Sequence, residues 1–270
     1  MTGSVLELLS LGFLIGAFGT LIGAGGGFIL VPVLVLMYPD MKPDVVTSIS
    51  LAVVFLNACS GSFAYARMKR IDYKSALVFG LATLPGSVIG ALLTGVIPQH
   101  YFHLLLGVVL VVIAIFLFVK PAQGAFARPN THATTHRHLV DANGTTYDYA
   151  FNLKTGIVLS FFVGFLSSLL GIGGGIIHVP ALTSLLNFPT HVVTATSHFV
   201  LALMALTGTI VHLATGTLQA GLRTALLIGG GVVAGAQLGA LLSHKIQPKG
   251  IIRALAVALL LVGFRLLITG

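Results

Sequence analysis

Charged residues are scarce in this sequence. Asp, Glu, Lys and Arg make up 7% of the chain and hydrophobic residues 56%, whereas about 25% of the residues of a soluble domain are charged. A soluble protein of 270 residues has too little interior to bury that much apolar surface. The composition therefore predicts a membrane protein with the lipid bilayer as its solvent.

Several function classes lack their sequence signals. Cys59 is the one cysteine, which excludes a disulfide framework. The sequence has no HExxH, GxSxG or P-loop motif and no pair of Asp residues within its apolar runs, so the usual routes to proteolysis and nucleotide hydrolysis are missing. The net charge is +8, but Lys and Arg lie at the ends of apolar runs rather than along a basic stripe. We expect no enzyme activity, no cofactor and no nucleic-acid partner.

Eight long apolar runs are separated by short polar segments. Six have about the 20 residues that cross a bilayer: 45–66, 75–97, 102–119, 192–214, 222–242 and 251–268. The runs 6–38 and 153–188 are too long for one straight span and too short for two comfortable ones. The pattern predicts an all-α polytopic membrane protein with about eight transmembrane helices.

Each of these two longer runs contains a glycine cluster followed by a proline. The first reads GAGGG at 23–27 with Pro32 after it, and the second reads GIGGG at 171–175 with Pro180 after it. Each glycine costs a helix roughly 1 kcal/mol relative to alanine. Both runs should therefore be interrupted at the glycines.

The match between the two halves of the chain continues beyond the glycines. VVTSIS at 45–50 corresponds to VVTATS at 192–197, and GALL occurs at 90–93 and at 239–242. Such self-similarity indicates a duplication. We predict a first transmembrane repeat at 1–119, a polar, His-containing cytoplasmic linker at 120–152, expected to be an aqueous loop, and a second transmembrane repeat at 153–270.

Loop charges indicate how the repeats are oriented. Arg67, Lys69, Arg70 and Lys74 crowd one turn of the first repeat, while the equivalent turn of the second has no Lys or Arg before Arg223. The next turn shows the opposite bias. Because positive charge marks cytoplasmic loops, the repeats should be inverted relative to each other, with each glycine-broken run re-entrant. A parallel arrangement of eight spans accounts for the total charge nearly as well.

The glycine breaks are the predicted binding site. An irregular backbone in a bilayer must be covered by protein or line a wet cavity, and a helix N-terminus offers free N–H groups and a positive dipole end. We therefore predict a small anion as the substrate, bound by glycines and by hydroxyl and imidazole groups at Gly25, Gly26, Gly27, Thr47, Ser50, Gly173, Gly174, Gly175, Thr194, Ser197 and His198. The alternative is that the glycines only permit tight helix packing.

Histidines supply the remaining candidates. His178 and His198 lie within apolar runs and could carry a proton coupled to transport. His132, His136 and His138 lie in the linker without an accompanying Cys or carboxylate cluster, so no metal site is predicted there. A metal-ion carrier fed by these histidines is one alternative function, and a non-transporting accessory or assembly protein is another.

The repeated GAGGGFILVP and GIGGGIIHVP segments, each followed by a VVT(S/A)(I/T)S stretch, resemble the sulfite exporter TauE/SafE family of bacterial membrane permeases. The resemblance covers nearly the whole chain. It implies a transporter of sulfur-containing anions or related organic acids. We predict a multi-pass protein of the bacterial inner membrane that acts as a secondary transporter, and as an exporter, of sulfite, sulfonates or other sulfur-containing or organic anions by alternating access. The His-containing linker matches no motif of that family.

Overall fold

The helices and strands follow one another in the same order as the apolar runs. A computed structural model describes residues 4–119, 133–243 and 249–269. Within these ranges the elements are α1 Val5–Ile22, α2 Gly27–Met37, α3 Pro43–Arg67, α4 Tyr73–Thr94, α5 Gln99–Val119, β1 Thr135–Val140, β2 Thr146–Phe151, α6 Leu153–Leu170, α7 Gly175–Leu186, α8 Thr190–Ala214, a 3₁₀ helix Thr217–Gly221, α9 Leu222–Leu242 and α10 Lys249–Thr269.

Seven helices in the described ranges are long and apolar enough to cross a membrane. The prediction of an all-helical polytopic membrane protein is therefore confirmed. Local signals set the helix ends. Ser4 and Glu7 form a capping box that starts α1, Asn152 accepts the Thr155 N–H and starts α6, and Pro43 occupies the first turn of α3, where its missing N–H has no cost.

Both glycine-containing runs are interrupted at the predicted positions. Gly23 ends α1 with φ 80°, and Gly171 ends α6 with φ 67°. A positive φ in this region favours glycine because other residues have a Cβ that clashes with the backbone. The short helices α2 and α7 begin after the breaks, at Gly27 and Gly175.

The chain folds back on itself at each break. A Cβ atom at Gly26 would lie 2.6 Å from Ile15 Cγ2, and a Cβ atom at Gly174 would lie 2.7 Å from Val163 Cγ1. In a continuous helix those pairs would be separated by roughly 16 Å at 1.5 Å per residue. Further along, a Cβ atom at Gly156 would lie 3.2 Å from Leu186 Cδ1. The run 153–188 therefore begins and ends on the same side of the bundle and is re-entrant.

Close contacts between helices show in which direction each helix runs. In α1 with α9, and in α4 with α6, residue numbers rise together: Gly12 lies against Ile228, Gly16 against Val232, Gly86 against Phe161 and Gly90 against Phe165. In α3 with α8 they run oppositely: Gly208 lies against Leu51, and Gly61 against His198. The first two pairs are parallel, and the third is antiparallel.

These directions fix where each half starts. We call the end of the bundle next to β1 and β2 the hairpin end, and the opposite end the far end. α6 starts at the hairpin end because it follows β2, and its parallel partner α4 starts there too. α3 precedes α4 and therefore ends at the hairpin end, where its antiparallel partner α8 starts. α8 then ends at the far end, so α9 and its parallel partner α1 start at the far end. The two halves thus run through the bundle in opposite directions. That they are copies of one duplicated sequence stays a prediction.

Part of the linker is a β-hairpin, which corrects the expectation of an aqueous loop. β1 and β2 pair antiparallel, with His138 opposite Asp148. The physical reason is an alternation of covered and exposed residues along both strands, which is the strand period of two. The Asn and Gly that suggested a loop lie in the turn between the strands. Residues 120–132 of the linker, including His132, lie outside the described residues.

Aromatic residues attach the hairpin to the membrane helices. Phe151 and Phe188, which precede α6 and α8, have ring centroids 4.8 Å apart. Tyr149 packs on Phe188 at 4.7 Å, and Phe79 of α4 packs on Phe151 at 6.0 Å. Burying aromatic surface in this way is a main source of packing energy. The hairpin therefore covers the hairpin end of the bundle and contacts both halves.

Two ion pairs also hold the hairpin. Arg70, after α3, lies 3.4 Å from Asp141 in the hairpin turn, and both side chains are buried. Burial raises the pKa of the Asp141 carboxyl, but the backbone N–H groups of Thr145 and Asn143 and the Arg70 charge lower it, and the net direction is downward.

Asp72 makes the second ion pair, with Arg137 of β1 at 3.3 Å. Tyr149 donates its hydroxyl hydrogen to the same carboxylate at 2.9 Å. Burial, and then the Asp72 charge, raise the pKa of the Tyr149 hydroxyl, so this group stays protonated and remains a donor.

Candidate functional site

The two glycine breaks lie directly against each other. A Cβ atom at Gly27 would lie 2.6 Å from the Gly171 carbonyl oxygen, and one at Gly175 would lie 2.3 Å from the Gly23 carbonyl oxygen. No side chain fits at such distances, so glycine is required at both positions by backbone approach. The breaks of the two halves thus form one central structure.

The starts of the two short helices contribute backbone donors to this centre. The N–H groups of Gly27 and Phe28 in α2, and of Gly175 and Ile176 in α7, precede the first hydrogen-bonded turn of their helices and have no partner within them. The Gly25 N–H is different, because it donates to the Gly19 carbonyl at 3.2 Å. Gly25 therefore contributes its backbone shape rather than a free donor.

The four predicted hydroxyl groups do not share one role. Ser50 Oγ donates to the Gly171 carbonyl at 2.6 Å, Thr47 Oγ1 to the Asp44 carbonyl at 3.1 Å, and Thr194 Oγ1 to the Thr190 carbonyl at 2.9 Å. Ser197 Oγ is buried without a hydrogen-bond partner. Among these four hydroxyls, Ser197 alone has a donor left for a ligand.

His198 lies beside the first glycine break. Its ring packs on Tyr65 at 5.5 Å between centroids, and its Nε2 lies 3.3 Å from Thr20 Oγ1. Thr20 Oγ1 also donates to Asn57 Oδ1 at 2.9 Å. Sequence reasoning missed Thr20, although a hydroxyl one turn before a glycine break in an otherwise apolar helix was a usable signal.

His178 lies apart from this group. Its side chain contacts Ser160 Oγ at 3.2 Å through Nε2 and the Phe79 ring at 6.1 Å. Its Nδ1 has no hydrogen-bond partner. The structure thus places the two predicted proton carriers in separate surroundings, with His178 beside the aromatic residues under the hairpin.

Val54 and Leu201 cover the breaks from the side of α3 and α8. Both are fully buried. A Cβ atom at Gly25 would lie 3.3 Å from Val54 Cγ1 and 3.4 Å from Leu201 Cδ1, and one at Gly173 would lie 3.4 Å from Val54 Cγ2. These two apolar side chains fill the space that a substrate at the breaks would enter.

The linker histidines show no ligand cluster. His138 Nδ1 lies 2.6 Å from Asp148 Oδ1, and both side chains are exposed. His136 lies on the same strand, opposite Ala150. Within the described ranges, no three His, Cys, Asp or Glu residues lie close enough to hold a metal ion.

Comparison with known proteins shows which family the chain belongs to. The model of the family described as sulfite exporter TauE/SafE matches residues 8–266. The chain belongs to this family. A probable membrane transporter protein of Bacillus subtilis, YunE, is 35% identical over 99% of this chain and 98% of its own length. A probable membrane transporter protein of Methanocaldococcus jannaschii, MJ0441, is 29% identical over 90% of this chain and 87% of its own length. No solved structure matches the chain.

Membership in the TauE/SafE family bears on what the protein does. The family resemblance noted in the sequence is confirmed, and the relatives are named membrane transporters. A multi-pass membrane protein with a transporter role follows from these names and from the seven apolar helices. These findings point to a transporter rather than an enzyme.

Proposed function

We propose that this protein is a secondary transporter of small anions, sulfite or a sulfonate among them, which binds its substrate between the two glycine breaks. The observation that carries this proposal is the meeting of two helix N-termini, at Gly27 and Gly175. The buried and unpartnered Ser197 hydroxyl lies on α8 between Thr194 and Leu201, which lie against Gly23 and Gly175. Free N–H groups and positive dipole ends favour an anion. A hydroxyl left without a partner in a buried site gains a bond when a ligand enters.

The charge of the central region supports the same class of cargo. Glu7, at the exposed start of α1, is the one carboxylate within the eight apolar runs, while cation carriers place Asp or Glu at depth. Transport by alternating access requires that the breaks open to each end in turn. The opposite direction of the two halves gives each end an equivalent set of helices, which suits such a mechanism.

The positive charges support a cytoplasmic hairpin end in a bacterial inner membrane. Charged groups at that end include Arg67, Lys69, Arg70, Lys74, Arg137 and Lys154, whereas Lys42 and Arg223 lie at the far end. Cytoplasmic loops carry the excess of Lys and Arg. With this orientation, an exporter loads its anion through the end that the hairpin covers.

Purified protein in liposomes tests the proposal. We expect sulfite flux that requires no ATP, and a Ser197→Ala variant that is slower by about tenfold, because a hydrogen bond to a charged ligand is lost. Thr209→Val is the matched control, since the Thr209 hydroxyl is buried in the same helix but donates to its own Ala205 carbonyl. Wild-type protein that transports neither sulfite nor sulfonates would contradict the proposal and favour an accessory role.

A further inference from the structure

Two buried side chains that contact the Thr20 hydroxyl each have a polar atom without a partner. Asn57 and His198 are fully buried, and Asn57 Nδ2 and His198 Nδ1 have no hydrogen-bond partner. Both side chains meet at Thr20 Oγ1, which is 2.9 Å from Asn57 Oδ1 and 3.3 Å from His198 Nε2. An unpaired polar group in a bilayer interior is costly, so two of them around one hydroxyl call for a ligand.

The hydrogen bonds of Thr20 determine which of the two unpartnered atoms is a donor and which is an acceptor. Thr20 has one hydroxyl hydrogen and donates it to Asn57 Oδ1, so the Asn57 amide nitrogen faces away as a free donor. The contact between Thr20 and His198 then requires a hydrogen on His198 Nε2. A neutral His198 ring therefore carries a lone pair on Nδ1, which is a free acceptor.

This arrangement lies beside the first glycine break. The Gly23 N–H donates to the Thr20 carbonyl at 3.0 Å, and Thr194, one turn before His198 on α8, lies against Gly23. By sequence, the positions that correspond to His198 and Asn57 are Leu51 and Met204, so neither polar side chain has a polar counterpart. Tyr65 is the titratable side chain that packs on the His198 ring in the described part of the chain.

We propose that Thr20, Asn57 and His198 form a binding site for a monoprotonated oxyanion, such as hydrogensulfite. The charged oxygen of the ligand accepts the free Asn57 Nδ2 hydrogen, and its hydroxyl donates to His198 Nδ1. A fully ionised oxyanion has no hydrogen for Nδ1 and leaves that lone pair facing a negative oxygen. The site therefore selects the protonated form of the cargo. This inference rests on the proposed function and adds the protonation state of the bound anion and the residues that distinguish it.

Calorimetric titration of the purified protein with sodium sulfite, below and above the second ionisation of sulfurous acid, tests the inference. We expect the apparent affinity for total sulfite to fall by about tenfold per pH unit once the dianion predominates. Sulfate, which carries no proton at these pH values, should compete poorly. Thr20→Val and Asn57→Leu should weaken binding by about tenfold and flatten the pH dependence, because each removes or misplaces a donor to a charged ligand.

Conservative variants separate a binding role from a folding role. Thr20→Ser keeps the hydroxyl and should restore the affinity and pH dependence that Thr20→Val loses, whereas Thr209→Val should leave both affinity and pH profile unchanged. If the wild type transports sulfite but Thr20→Val and Asn57→Leu bind it with unaltered affinity and pH profile, or if sulfate competes equally, this inference is wrong while the proposed function stands. A wild type that binds no sulfite at any pH overturns this inference, and one that also transports no sulfonate overturns the proposed function.

Discussion

The backbones of the two glycine breaks approach each other so closely that two of the glycines have no room for a side chain. Gly175 lies so close to the Gly23 carbonyl oxygen that a Cβ atom would be 2.3 Å from it. Backbone atoms of two breaks cannot shift independently, because each break is also packed against its own preceding helix. The glycines at these two positions thus permit close backbone packing, one of the two alternatives that the sequence left open, and substrate binding at them stays a proposal.

Gly175→Ala should therefore lower the melting temperature of the purified protein in detergent by several degrees, because overpacking a core typically lowers the free energy of unfolding by about 1–3 kcal/mol. Gly95→Ala is the matched control. Gly95 has φ −68°, and its added Cβ would meet its nearest neighbour, the Leu92 oxygen, at 3.7 Å. A Gly175→Ala protein as stable as the wild type would show that the breaks do not approach each other as described.

The amino-acid sequence predicted only part of the arrangement at the two glycine breaks. The glycine positions follow from the unusual cost of clustered glycine in a helix, and they were predicted correctly. The hydrogen-bond partners of Thr47, Ser50 and Thr194 could not be predicted, because a helix hydroxyl can bond its own carbonyl, another helix or a ligand with similar energy. The assignment of those three residues as substrate ligands stays a prediction.

At the scale of elements, the hairpin is the feature that the sequence reading missed. Its strands are short and polar on one face, so their alternation was weaker than the turn signal of Asn143 and Gly144. The attachment of the hairpin depends on Asp141, whose pKa is lowered in the folded protein. A carboxylate with a lowered pKa stabilises the folded state above its unfolded pKa of about 3.9, and this stabilisation is lost as pH falls through the folded value.

Asp141→Asn should consequently loosen the hairpin at neutral pH, because the buried Arg70 loses its charged partner. We expect amide hydrogen exchange of residues 135–151, followed by mass spectrometry, to be faster by about tenfold. Wild-type protein should show the same loosening at a pH below the folded pKa of Asp141. Asp148→Asn is the control, since Asp148 is exposed and pairs with His138 at the surface. Unchanged exchange in Asp141→Asn would contradict a role of this ion pair in attachment.

At the scale of the whole molecule, two halves that run in opposite directions meet at one centre. The opposite bias of loop charges had indicated this arrangement, and the re-entrant runs agree with it. The sequence could not show that the two breaks touch, because contact between halves depends on how α1 packs with α9 and α4 with α6. Those contacts are made by glycines spaced along α1, α4, α6 and α9, which let the helix backbones approach closely.

The proposed substrate site lies between the glycine breaks, against Val54. We would replace Cys59 by Ser, introduce Val54→Cys, and follow labelling of the new thiol by a small permeant reagent in liposomes that retain sulfite flux. Val53→Cys, on the adjacent buried position, is the control. Saturating sulfite should slow labelling at position 54 and leave position 53 unaffected. Equal labelling at position 54 with and without sulfite, in protein that still transports it, would show that the substrate binds elsewhere.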